Sequence, residues 1–294
     1  MTTTAAEIAT QPDCWTRAAD AAKRSAPVLP RGQERVAVVG CGTSYFMAQS
    51  FAAFREGIGD GETDAFAASE YPLDRRYDRI VVLSRSGTTT EILRLLEAVN
   101  PAIPTVAITA DGATPLASLA GAAIVLDFAD EQSVVQTRFA TSALALWRSH
   151  LGADIGELAS SARDRLHAQI PAKWTGRARY TFLGSGWSVG IAHEAALKLR
   201  EAAQAWTESY PAMEFRHGPI ATVDAESLVW IFGRAPAGLD SDLANTGCVV
   251  VHLNADPMVA LTTAQRLAVA VAEAKGLDPD RPRNLTRSVV LQEA

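Results

Sequence analysis

At 294 residues the chain is long enough for one large or two ordinary domains with full cores. Hydrophobic residues make 48% of it and charged residues 20%, a globular rather than a disordered composition. The net charge of −6, without any basic run, argues against nucleic acid as a partner, while leaving room for a phosphorylated ligand held by local dipoles and hydroxyls.

Cys14, Cys41 and Cys248 are scattered, so neither a disulfide framework nor a CxxC metal site is implied. No apolar run approaches the roughly 18 residues of a membrane helix, and residues 1–13 lack a basic start and a long apolar stretch. A cytoplasmic protein without a membrane partner is expected.

In chain order, Ala5 to Ala26 reads as a leading helix interrupted near Pro12. Arg35 to Val39 reads as a short buried strand, followed by the small-residue turn Gly40-Cys41-Gly42-Thr43-Ser44 and a helix from Tyr45 to Arg55. Ala65 to Ala68 is a candidate second strand. Ile80 to Leu83 is a third, apolar at every position, as a strand covered on both faces allows.

That strand breaks into Ser84-Arg85-Ser86-Gly87-Thr88-Thr89-Thr90, ahead of a helical pattern in Ile92, Leu93, Leu95, Leu96 and Val99. Hydroxyls, free backbone N–H groups and the positive end of a helix dipole at one turn can hold a phosphate. The same stretch also reads as an ordinary capped helix start, because Ser and Thr are preferred N-caps. Pro104 to Thr109 and Ala122 to Leu126 complete five strands. Strands alternating with helices predict a parallel sheet covered on both faces.

The unit then recurs. Arg35 to Ser44 matches Arg179 to Ser188 at a constant offset of 144, each a strand, a G-x-G-x-S turn and a helix. Strands at Ser227 to Phe232 and Cys248 to Leu253 follow, then an alanine-rich helix from Leu261 to Lys275. The turns lack the third glycine of a dinucleotide fingerprint at its proper spacing, so NAD is set aside and no cofactor is expected. No His, Cys or carboxylate cluster has metal-ligand spacing. The predicted fold class is α/β with two parallel-sheet domains. An N-terminal helix spans 1–30 and the domains 31–165 and 176–294, with the stretch from Ser160 to Gly176 between them.

The helix from Ile191 to Trp206 carries Glu194, Lys198 and Glu201 on one face, which reads either as a solvated stripe or as chemistry. Glu208 to Pro219 reads as a polar loop crowded with ionisable groups and ending in His217-Gly218-Pro219. His217 is the histidine read as chemical; His150, His167, His193 and His252 fall in helical or strand patterns. A carboxylate on a helix and a histidine on a loop form a minimal acid/base pair.

These motifs, with Pro282-Arg-Asn-Leu-Thr-Arg-Ser-Val289, resemble the double sugar-isomerase (SIS) domain proteins over essentially the whole chain. The resemblance extends to the isomerase half of glucosamine-6-phosphate synthase and, more closely, to stand-alone deaminase and deglycase relatives. It implies a flavodoxin-like sheet in each domain and a homodimer with shared active sites. It also implies that Ser84, Arg85, Ser86 and Thr89 bind a sugar phosphate with Ser44 nearby, and that Gly42, Thr43, Gln136 and Arg287 contact substrate. Glu201 falls at the family base, Lys198 at a lysine close to the sugar, and His217 at the ring-opening histidine supplied by the neighbouring subunit.

Two departures qualify the resemblance. The chain starts directly at the isomerase region, so it is not expected to take ammonia from glutamine unaided. Arg287 stands where the synthase tail has a lysine, and an arginine stays protonated, which excludes a Schiff base. The expected activity is aldose–ketose isomerisation of an amino-sugar 6-phosphate with ammonia release. The alternatives are fructosamine-6-phosphate deglycation and a non-catalytic phosphosugar sensor.

Overall fold

The computed structural model describes residues 1–291. It begins with two helices rather than one, α1 (Thr3–Ala9) and α2 (Gln11–Ser25), broken at Thr10 with Pro12 in the first turn of the second. There follow β1 (Val36–Gly40), α3 (Thr43–Gly57), β2 (Thr63–Ala67), β3 (Arg79–Leu83), α4 (Thr90–Ala98), β4 (Thr105–Thr109), α5 (Pro115–Leu119), β5 (Ala122–Val125) and α6 (Arg138–His150). The remainder comprises α7 (Ile155–Leu166), α8 (Ala172–Thr175), β6 (Arg179–Gly184), α9 (Ser188–Ala203), β7 (Thr207–Pro211), β8 (Ser227–Phe232), α10 (Leu239–Ala244), β9 (Val249–His252) and α11 (Pro257–Ala274).

The chain divides into two compact units. One contains residues 13–132, 138–156 and the segment from Thr286 onward, around a five-stranded sheet of order β2-β1-β3-β4-β5. All its pairings are parallel. Both faces are covered, so β1 and β3 are buried at every residue, as their unbroken apolar runs require. Ala37, Val39, Ile80, Val82 and Ala107 pack with Ile92 and Leu95 of α4 on one side. Within the same unit Phe51 of α3 stacks on Trp147 of α6 at 4.6 Å.

The other unit contains residues 1–12, 133–137 and 157–285, around a four-stranded parallel sheet of order β7-β6-β8-β9. That order repeats the first four strands of the larger sheet. Leu183, Val229 and Ile231 form its core with Phe215, and Phe182, Trp230 and Phe232 make a ladder of ring contacts. α11 lies along α9.

Two expectations need correction. Thr207–Pro211 is not loop but the edge strand β7, paired to β6 and only half-buried, which explains its polar sequence. α11 starts four residues before Leu261, at Pro257, because Asp256 accepts from the Met258 N–H at 2.9 Å and Pro257 suits the first helical position.

Candidate functional site

In a parallel sheet of order 2-1-3-4-5, the chain leaves β1 and β3 toward opposite faces, and a crevice opens beyond their carboxyl ends. Gly40, at the end of β1, is in register with Leu83, at the end of β3, so the two following loops lie side by side. The β1 loop supplies Gly42, in a left-handed conformation at φ 55°, and the buried Thr43 and Ser44 that start α3.

The β3 loop supplies the hydroxyl-rich turn. Gly87 is required here: its φ is 63°, and a Cβ would fall 2.1 Å from Thr114 Oγ1. Around it, the Gly87 N–H donates to Ser84 Oγ and the Thr88 N–H to Ser86 Oγ, both at 3.3 Å. Thr89 Oγ1 lies 3.5 Å from Ser84 Oγ and 3.4 Å from Ser86 Oγ. Thr89 is the N-cap of α4, yet its side chain makes no capping bond. An ordinary capped helix start would spend that hydroxyl on the helix; here it faces the other hydroxyls.

A further hydroxyl comes from a distant part of the sequence. Ser86 Oγ and Thr88 Oγ1 donate to Ser288 Oγ at 3.1 and 3.0 Å, and Thr89 Oγ1 lies 3.4 Å from the same atom. Arg85 and Arg287 flank the turn with their charges already paired. Arg85 Nη1 is 3.6 Å from the Glu131 carboxylate, both groups being buried, and its Nη2 donates to the Arg287 carbonyl at 3.2 Å. The Arg287 guanidinium bonds the Asp130 carboxylate and the Glu131 carbonyl. Glu131 also accepts from the Arg138 N–H at 2.8 Å, capping α6. This pairing ties both arginines to one anchoring carboxylate segment, a role that motif reading did not assign.

In the four-stranded unit, α9 carries the candidate acid/base groups. Lys198 Nζ lies 2.5 Å from Glu201 Oε2 and 3.5 Å from Glu194 Oε1. The Lys198 and Glu194 side chains are 1% and 0% exposed and that of Glu201 18%, so this face of the helix is interior and not a solvated stripe. One lysine thus stands between two carboxylates, of which only Glu201 is open to a ligand. The helix ends just beyond, at Gln204 in a left-handed conformation.

His217 is exposed at the end of a 3₁₀ turn, Glu214–His217, anchored by the buried Phe215. Gln136, half-buried, belongs to the same unit in the 133–137 segment. His193 is a packing residue: its Nδ1 meets Ser209 Oγ at 2.9 Å, and burial, then Arg200, push its pKa below the usual histidine value. The structure therefore gathers Ser84, Ser86 and Thr89 at one turn with Gly42–Ser44 on the adjoining loop, and pairs Lys198 with Glu201. His217 and Gln136 stand on separate elements of the unit that carries α9. Ser288 and Glu131 are the participants to which the sequence alone gave no role. Among the described residues no group of His, Cys, Asp and Glu could hold a metal ion, and no helix is long and apolar enough to cross a membrane.

Comparison with known proteins covers most of the chain. The chain is 24% identical over 90% of its length to glutamine–fructose-6-phosphate aminotransferase [isomerizing] of Thermotoga maritima, and 26% identical over 89% to that of Sulfurisphaera tokodaii. It spans about half the length of these relatives, 53% and 51%. Among solved structures, glucosamine-6-phosphate deaminase from Thermotoga maritima superposes with a TM-score of 0.83 at 23% identity, covering 99% of this chain and 100% of that one. Tagatose-6-phosphate ketose/aldose isomerase from Escherichia coli gives 0.80 at 21% identity, covering 97% of both chains. The SIS domain profile matches residues 31–147 and 175–273, one stretch in each half of the repeat. The chain belongs to the SIS domain family.

Proposed function

We propose that the protein is a phosphosugar isomerase that acts on an amino-sugar 6-phosphate and releases ammonia. The observation that carries the reading is the convergence of hydroxyls at the Ser84–Thr89 turn, beside the crevice between β1 and β3, in a SIS chain. Solved relatives named as a glucosamine-6-phosphate deaminase and a tagatose-6-phosphate isomerase support a phosphosugar as ligand.

In this mechanism Ser84, Ser86 and Thr89 hold the phosphate, and that remote binding positions C1 and C2. His217 assists ring opening to the aldehyde. Glu201 takes the proton from C2, giving an enaminol, and returns a proton to C1. The product imine at C2 adds water and expels ammonia, leaving the ketose phosphate. Lys198 holds the Glu201 carboxylate in a fixed orientation, with a homodimer as the working form.

The test is a panel of sugar 6-phosphates assayed in parallel for ammonia and ketose. Equal amounts of ammonia and ketose phosphate from glucosamine 6-phosphate are expected. Ketose without ammonia, from a sugar lacking nitrogen, would replace deamination by plain isomerisation. Release of a free amino acid from a fructosamine 6-phosphate would replace it by deglycation. Binding without turnover across the panel would make the protein a sensor.

A further inference from the structure

In the four-stranded unit, α1 and α11 run antiparallel. The Thr3 and Thr4 N–H groups donate to the Asp280 carboxylate beyond the end of α11, and Gln11 Nε2, just after α1, donates to Gln265 Oε1 at the middle of α11. Between α1, the end of α7 and the second half of α11 lies a groove of about 310 Å³, at the lower end of the range for pockets that hold small molecules. Its apolar lining includes Ile8 of α1, Leu166 of α7, and Val269 and Ala270 of α11.

Two charges stand on that lining, Arg266 and Glu273, and no other charged side chain lines the groove. They are two turns apart on α11, so they share one face and are separated by about 10.5 Å along the axis. Among the described residues neither makes an ion pair. Arg266 is half-buried; its Nη1 donates to the Arg165 carbonyl at 2.9 Å and its Nη2 to the Ala168 carbonyl at 2.6 Å, which caps α7 without supplying a counter-charge. Burial pushes the Arg266 pKa below the usual arginine value, and no neighbouring carboxylate opposes it. A charge withdrawn from water without a partner is costly, so an arriving anion gains more here than at an open surface. Glu273 is exposed at the other end of the groove.

We infer that this groove binds a short apolar peptide with free termini, about three residues long, its carboxylate on Arg266 and its ammonium at Glu273. An extended chain spans about 3.3–3.6 Å per residue, so three residues match the two helical turns between the charges. A hydrocarbon anion would leave Glu273 unmatched.

Calorimetric titration of the full chain with the peptide Ala-Leu-Ala tests it, alongside the C-terminal amide, the N-acetylated form and octanoate. Ala-Leu-Ala is expected to bind. Amidation should lower its affinity about tenfold or more, through loss of the bond between two charged groups at Arg266. Acetylation should lower it about two- to fivefold, because an ion pair at the exposed Glu273 is weak. Glu273→Gln should show the same small loss and bind the free and acetylated peptides alike. Arg266 is left unaltered in these tests because it also caps α7. Ala270→Phe fills the groove from a half-buried position, and should abolish binding while melting near the wild-type temperature. No binding of Ala-Leu-Ala, binding that Ala270→Phe leaves intact, or free and acetylated peptides bound equally by wild type overturns the inference. Octanoate bound as tightly as the peptide would give the groove to an anionic amphiphile. A smaller assembly in Ala270→Phe, with no peptide bound by wild type, would give it to a second copy of the chain; either result overturns the peptide reading.

Discussion

Lys198 decides what Glu201 can do. A lysine 2.5 Å from the carboxylate, with its own side chain buried, fixes both the position and the rotamer of the proposed base. Glu201→Gln keeps shape and most hydrogen bonding and removes the proton acceptor. It is expected to lower kcat by roughly 10²–10⁴ with little change in KM, since a positioned base contributes about that much. Isomerisation in heavy water checks the same point. Wild type should place deuterium on the product carbon that receives the proton, and the variant should lose that label. Near-normal turnover by Glu201→Gln would return this glutamate to a structural role. The residues of the turn were legible in the sequence because they are adjacent there: Ser84 to Thr89 is one loop, and a loop can be read as a string. Ser288 and Glu131 were not, because their meeting with the turn is made by topology across about 200 and 45 positions. Glu194 and Lys198 show another limit, since spacing places charges on one face without saying whether water or protein lies beyond it.

Among the elements, both sheets share one device. The last residue of β1 and of β6 is a glycine against which the following helix starts, Gly40 before α3 and Gly184 before α9. A Cβ at Gly40 would lie 2.5 Å from the Ser44 carbonyl carbon, and one at Gly184 2.2 Å from the Ser188 carbonyl oxygen, all backbone atoms that can yield only if the helix moves. Gly184→Ala should therefore cost about 1–3 kcal/mol of stability, as overpacking does, measured by denaturant melts. It should also lower turnover, because α9 carries Glu201. The offset of 144 exposed this pairing in the sequence, whereas β7 stayed hidden: an edge strand, half wet, lacks the apolar run that identified β1, β3, β6 and β8. The start of β3 offers a pH test. Arg79 bonds both oxygens of Glu34 at 2.9 and 3.0 Å, and those bonds hold the Glu34 carboxyl below its ordinary value against the opposing effect of burial. A lowered folded pKa means stability that is fully present above the unfolded value of about 4.3 and lost as pH falls through the folded one. Glu34→Gln should cost on the order of 1.5–3 kcal/mol at pH 7, and its melting midpoint should draw closer to wild type as pH falls below the unfolded value.

For the molecule as a whole, the proposed mechanism gives the two halves of the repeat different tasks. The larger sheet carries the hydroxyl turn and the smaller carries α9 and His217, so neither unit holds a complete set of the proposed groups. A net charge of −6 leaves anion capture to local donors and not to a general positive field. His217 is exposed on a short turn whose Phe215 anchor is buried, and the proposal gives it a ligand bound to a second copy of the chain. The proposed homodimer turns this into a counting experiment. Glu201→Gln and His217→Ala are each expected to be inactive when expressed alone. If each site takes its histidine from the opposite subunit, a mixed dimer carries one site with both substitutions and one site with neither. Random pairing makes about half of the dimers mixed, so co-expression should restore roughly a quarter of wild-type activity, and the purified mixed dimer about half. Glu201 and His217 acting within one chain would leave every site of every dimer with one substitution. Mixed dimers shown by mass to form, yet without activity, would place the histidine and the base in the same subunit.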